Sequence, residues 1–181
     1  MKFSTSVAGC ALAALVHAAP EHDRVTSLPE MGNFDEYGAF SGYLPIEGTS
    51  KQIHYLFFEA QENAKDAPVL IWFNGGPGCS SMLGMMQELG PVVVDDGERY
   101  FKTNPHPWNE RANVLFLESP AGVGWSWAGT DADLDTNDMI QSHDAITALK
   151  SWFKEYPEFL PNELYVSGES YGGIYVPYLA W

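Results

Sequence analysis

Positive charge is scarce in this chain. Its 181 residues hold 9 Lys and Arg against 24 Asp and Glu, a formal charge of −15 at pH 7. A surface that acidic repels a phosphate backbone, which argues against nucleic acid as a partner. Long apolar runs are also missing. A bilayer span needs about 20 apolar residues, and the one candidate, "VAGCALAALVHAA", is cut short by Glu21, His22, Asp23 and Arg24. Lys2 lies ahead of it and "VHA" or "HAA" supplies small residues for cleavage, so residues 1–19 read as a secretory signal peptide rather than an anchor or a core helix. The remaining residues, 20–181, are then expected to be soluble in the secretory pathway, with no membrane span.

Cysteine is nearly absent. Cys10 lies inside the signal and would leave with it, so Cys79 stands alone. An odd cysteine in an oxidising compartment implies an intermolecular bond, a free thiol or a partner elsewhere. The five histidines, His17, His22, His54, His106 and His143, show no metal-ligand spacing, so no metal is expected. No cofactor is implied. No N-x-S/T sequon occurs, and no N-glycan is expected. Nothing in the chain sets an oligomeric state.

What is present suits one globular domain: 45% apolar residues, 14% of the chain aromatic, and a length sufficient to bury a sizeable core. "FSGYLPI" and the alternating, aromatic-rich "KQIHYLFFEA" predict strands. "APVLIWFN" and "NVLFLES" are continuous apolar runs, each read as a buried strand. "SSMLGMMQELG" predicts a short helix closed by Gly90-Pro91. "VVVDDGERYF" predicts a hairpin turning at Asp96-Gly97. "TNDMIQSHDAITALKSWFKEYPEF" predicts a helix capped by Asp138 and ended by Pro157, with Ile146, Leu149, Phe153 and Tyr156 on its apolar face. "ELYVS" is the last strand. Buried strands separated by helices imply an α/β sheet with helices on both faces.

That last strand leads into Gly168-Glu169-Ser170-Tyr171-Gly172, which fits G-x-S-x-G. A strand-to-helix turn of this kind presents a nucleophilic serine, and the amide of the next residue faces the developing oxyanion. Serine is a poor nucleophile unaided and needs a base, a group to orient that base, and oxyanion donors. The second glycine-rich turn, "NGGPGCSS", also follows a strand and precedes a helix. Such a turn gathers backbone N–H groups. Lacking lysine and Walker spacing, it reads as a second oxyanion donor or as a tight turn rather than as a phosphate loop. Trp125 and Trp127 read as pocket lining or core; Trp72, Trp108 and Trp152 read as packing residues.

Together, "NGGPGCSS", "NPHPWNERANVLFLESPAGVGWSW" and "VSGESYGGIYVPYLA" resemble, in order and spacing, the N-terminal motifs of serine carboxypeptidases of the α/β-hydrolase fold. The resemblance runs from about Phe34 to the last residue. It implies that Ser170 is the nucleophile and that the amides of Gly76 and Tyr171 form the oxyanion hole. It implies further that Asn74, Gly75, Glu88 and Glu169 recognise the free C-terminal carboxylate of a peptide or protein substrate. Cys79 matches a cysteine that in the family forms a disulfide with a distant partner. If Glu88 and Glu169 adjoin, they should share a proton, because ionising both is costly; the protonated carboxyl can then donate to a substrate carboxylate. The expected enzyme is an acid-preferring exopeptidase, secreted or vacuolar/lysosomal.

In this fold the triad order is Ser, then Asp or Glu, then His. Residues 171–181 hold neither an acid nor a histidine. The resemblance therefore implies the N-terminal portion of a hydrolase domain, with the central sheet incomplete after the serine turn. Such a chain alone is expected to fold poorly, because the open sheet edge is an aggregation risk. Two other readings are a peptide-binding or interaction protein without catalysis, and an acyltransferase on the same scaffold.

Overall fold

Pro68 cannot donate to a sheet ladder, and the β-branched and aromatic run that follows it forms a strand held between two parallel neighbours. A computed structural model describes residues 20–29, 32–95 and 97–181. The proposed signal peptide lies outside the described residues, as does Asp96. Five strands make the frame: β1 (Ala39–Pro45), β2 (Lys51–Phe58), β3 (Val69–Phe73), β4 (Asn113–Leu117) and β5 (Leu164–Gly168). Their order is β1-β2-β4-β3-β5. β1/β2 and β2/β4 pair antiparallel, whereas β4/β3 and β3/β5 pair parallel. Short strands at Arg24–Val25 and Trp127–Ala128 pair antiparallel with β1 and β2 respectively.

Helices cover both faces, which is why the central strands carry uninterrupted apolar residues. On one face lie α2 (Asp138–Glu155) and α3 (Gly172–Ala180), packing Ala145, Ala148, Trp152 and Tyr175 against Phe57, Ile71, Phe73 and Leu115. On the other, α1 (Met82–Gly84) runs on as a π turn over Met85–Leu89, and its methionines pack on Phe58, Trp72 and Phe116.

Several local expectations shift. The cap of α2 is Asn137, whose extended backbone lets its side chain accept from the Ile140 amide at 3.0 Å. Asp138 is instead the first helical residue, and its carboxylate accepts from the Tyr171 hydroxyl at 3.0 Å. The apolar face is also rotated. Tyr156 and Leu149 are buried as expected, Phe153 packs partly buried against the core, Ile146 lies at the flank, and Ala145, Ala148 and Trp152 are buried as deeply as Tyr156. Two alanines admit the helix close to the sheet, so Trp152 can stack on Tyr156 at 4.6 Å. The hairpin pairs Val92–Val93 with Lys102–Thr103, so its loop is longer than a two-residue turn. Asn104 sets that length by donating to the carbonyls of Glu88 and Gly90. Trp72 and Trp152 are buried as expected, but Trp108 is half exposed and meets Trp72 edge-on.

Candidate active site

Parallel strands present their C-terminal ends on one side of a sheet, and ligand-binding loops gather there. β3, β4 and β5 end beside one another and continue into Asn74-Gly75, Glu118-Ser119 and Glu169-Ser170. Gly168 pairs with Phe73, and the Glu169 amide donates to the Phe73 carbonyl at 3.2 Å. The chain then reverses sharply. Ser170 takes a φ of +53°, in the left-handed region that side chains rarely adopt. Strain of this kind is held only where the surroundings over-determine it. Here the Gly172 and Gly173 amides donate to the carbonyls of Glu169 and Ser170 at 2.7 and 3.0 Å, starting α3 directly. Gly168 is required by close approach, since a Cβ there would lie 2.7 Å from the Phe73 carbonyl oxygen.

The glycine-rich turn lies against this elbow. A Cβ on buried Gly75 would fall 2.4 Å from the Tyr171 nitrogen and 2.8 Å from the Ser170 Cβ. Only glycine lets the two backbones come this close. Gly76 follows with a φ of +106°, and the Cys79 amide closes the turn on the Gly75 carbonyl at 3.1 Å. The turn is held from three sides. Ser81 donates to the Leu117 carbonyl at 2.7 Å, the Gly78 amide donates to the Tyr175 hydroxyl at 3.2 Å, and the Asn74 amide donates to Ser81 Oγ. Burial pushes the Tyr175 phenol up, so it stays neutral as an acceptor.

Asn74 is buried and its orientation is set. Its Oδ1 accepts from Trp72 Nε1 at 2.7 Å and from the Gly84 amide at 3.1 Å, which aims Nδ2 at Glu169 Oε1, 3.3 Å away. Asn74, Gly75, Glu169, Ser170 and Tyr171 thus meet in one place. The Glu88 side chain is exposed near the end of the π turn, and Cys79 is half-buried and free. Trp125 and Trp127 are both exposed; Trp125 borders a cavity of about 650 Å³ with Tyr43, His54 and Met82.

One buried group was not anticipated from the motifs. Glu118 directly follows β4 and is completely buried, and its carboxylate accepts from His54 Nδ1 at 2.9 Å, from the Trp125 amide at 2.8 Å and from the Ser80 hydroxyl. Burial pushes this carboxyl up, but the hydrogen bonds from His54, Ser80 and Trp125 outweigh it and hold Glu118 below the usual carboxylate range. The available signal was an acid closing an apolar run at the active end of a parallel strand.

Comparison with known proteins agrees with this architecture. The profile of the serine carboxypeptidase family matches residues 29–181. The mouse lysosomal protective protein is 44% identical over 163 residues, covering 90% of this chain and 34% of that protein. Serine carboxypeptidase-like 31 of Arabidopsis thaliana is 44% identical over 165 residues, covering 90% of this chain and 33% of its own length. The chain thus spans about a third of the length of the curated relatives it matches. Among solved structures, the prohormone-processing carboxypeptidase Kex1(Δ)p of Saccharomyces cerevisiae superposes with a TM-score of 0.71 at 29% identity, over 80% of this chain and 34% of that one. An acylaminoacyl peptidase of Pyrococcus horikoshii, 13% identical with a TM-score of 0.52, shares the fold alone. With its strained serine elbow, its glycine-rich turn and residues 29–181 all answering to one pattern, this chain belongs to the serine carboxypeptidase family and has the α/β-hydrolase fold.

Proposed function

We propose that this protein is a serine-type carboxypeptidase that removes C-terminal residues from peptides or proteins, with Ser170 as the nucleophile. The observation that carries this reading is the close approach of the Gly75 backbone to Ser170 and Tyr171, which only glycine permits. Ser170 Oγ attacks the scissile carbonyl, and the amides of Gly76 and Tyr171 receive the negative charge that develops on its oxygen. Asn74 Nδ2, the Gly75 backbone, Glu88 and Glu169 hold the terminal carboxylate of the substrate. The base that takes the serine proton, and the acid that orients it, belong in this reading to the part of the family domain outside the third of its relatives that this chain matches, in keeping with the triad order of the fold. The Cys79 disulfide partner is assigned to the same part of the domain. Residues 1–19 direct the chain into the secretory pathway and residues 20–181 begin the hydrolase domain. A lysosomal or vacuolar destination accords with the name of the lysosomal protective protein.

The full-length protein should shorten a peptide with a free C-terminal carboxylate and leave its C-terminal amide intact, read by mass spectrometry of the products. The same reading includes a preference for acidic pH, checked as a rise in KM between about pH 5 and about pH 8. Equal cleavage of acid and amide would remove the carboxylate-recognition reading.

Gly75→Ala tests the oxyanion geometry. The added methyl has to part the loop from the elbow, and labelling of Ser170 by a serine-directed phosphonate should slow by about 10²–10³-fold, the usual effect of losing one oxyanion donor. A rate within a few-fold of wild type would show that the close approach is dispensable.

A further inference from the structure

We propose that Glu118 is a positioning residue that holds two active-site loops, the glycine-rich turn through Ser80 and the Pro120–Ser126 loop through Trp125. The proposal rests on the reading of Ser170 as nucleophile. Glu118 directly follows β4, whose neighbour β3 carries the glycine-rich turn. Its Oε1 accepts from Ser80, and its Oε2 accepts from the Trp125 amide and from His54 Nδ1. Each donor belongs to a different segment. The backbone repeats the connection: the Glu118 amide donates to the His54 carbonyl at 3.1 Å, and Ser126 donates to the Glu118 carbonyl at 2.6 Å while accepting from the His54 amide at 2.8 Å.

A wholly buried carboxylate is costly unless its oxygens are satisfied, and packing alone would be met better by an apolar residue of similar size. The group therefore acts through its donors. Ser80 is the link that matters for the chemistry. It lies between Cys79 and Ser81 in the turn that abuts Ser170, and its hydroxyl also accepts from the Met82 amide at 3.2 Å, so the start of α1 hangs on the same contact. The second loop is shaped to close over the carboxylate. Gly124 has a φ of +56°, and a Cβ there would lie 1.8 Å from Glu118 Oε1. His54 is itself oriented by Ser41 Oγ at 2.9 Å from Nε2, and by Tyr43 and Trp125 set edge-on to its ring at 5.5 and 5.3 Å. Donors on three segments thus converge on one buried acceptor. Removing the charge should loosen loops that an intact core leaves otherwise unchanged.

The test is Glu118→Gln in the full-length protein, with segment-resolved amide exchange and the maximal rate of Ser170 phosphonylation as readouts. Losing charge-assisted acceptors should speed exchange about tenfold across residues 76–81 and 122–126, with β3 and β4 unchanged, and slow phosphonylation about tenfold without weakening binding of the phosphonate. Unchanged exchange in both loops, or faster exchange with unchanged phosphonylation, overturns the positioning role. Should Glu118→Gln fail to fold, Ser80→Ala decides, because the carboxylate keeps its His54 and Trp125 donors. Faster exchange confined to 76–81 with slower phosphonylation upholds the role, and wild-type behaviour overturns it. The two readings fail separately. A wild-type protein that takes no adduct at Ser170 sinks the enzymatic reading, whereas normal labelling in both wild type and Glu118→Gln sinks only the role of Glu118.

Discussion

Ser170→Ala should abolish phosphonate labelling of the full-length protein and lower its peptide hydrolysis by on the order of 10⁶-fold in kcat. Neighbouring hydroxyls cannot substitute. Ser81 is buried and donates to the Leu117 carbonyl, and Ser80 is committed to Glu118. Ser170 is exposed at the tip of the elbow, and the hydrogen bonds around it run from the Tyr171 hydroxyl to Asp138 and from Asn74 to Glu169 rather than from its own side chain. Alanine meets the same left-handed backbone as serine, so the fold should survive and peptide binding should persist. Residual rate from the oxyanion hole and binding should remain about 10³–10⁴-fold above the uncatalysed reaction. A Ser170→Ala protein that hydrolysed peptides at the wild-type rate would place the nucleophile elsewhere.

Lys51→Met should destabilise the protein by about 3–5 kcal/mol, because it strands a buried charge. Lys51 Nζ lies 2.6 Å from Asp144 Oδ2, and both side chains are almost wholly buried, at 6% and 5% exposure. Lys51 opens β2 and Asp144 lies on the inner face of α2, so the pair joins the sheet to its covering helix. Total stabilities of folded domains are about 5–15 kcal/mol, so this one change removes a large share. Lys51→Met combined with Asp144→Leu should recover most of the loss, since a matched apolar pair avoids the desolvation cost altogether. Denaturant midpoints of wild type, single and double variants check this. Equal midpoints for wild type and Lys51→Met would show that the pair contributes nothing.

Much of the frame was legible along the chain. Pro68 and the run to Phe73, the run from Asn113 to Leu117, and the glycine pattern around Ser170 are local signals, and each became the expected strand or turn. Misreadings arose where local preference was close to degenerate. Asn137 and Asp138 are both good caps, and the choice followed from Asp138 finding a partner in Tyr171, 33 residues away. The helix face was misjudged because Ala145 and Ala148 score as weakly apolar, although small size is what close packing on a sheet requires.

The amino-acid order by itself determined the strand–turn–helix units, the elbow at Ser170 and the glycine-rich turn at Asn74–Ser81. Each depends on residues within one turn or strand of one another, where sterics of the backbone and alternation of apolar side chains act directly. Only the tertiary structure decided which distant polar groups meet. His54 and Glu118 are 64 residues apart in sequence, Lys51 and Asp144 are 93 apart, and Asn74 and Glu169 are 95 apart. Contacts at that separation leave no periodic trace, since they follow from the strand order β1-β2-β4-β3-β5 and the placement of α2 on one face. Burial then made the first two pairings obligatory, because a charge withdrawn from water is tolerated only with a partner at hand.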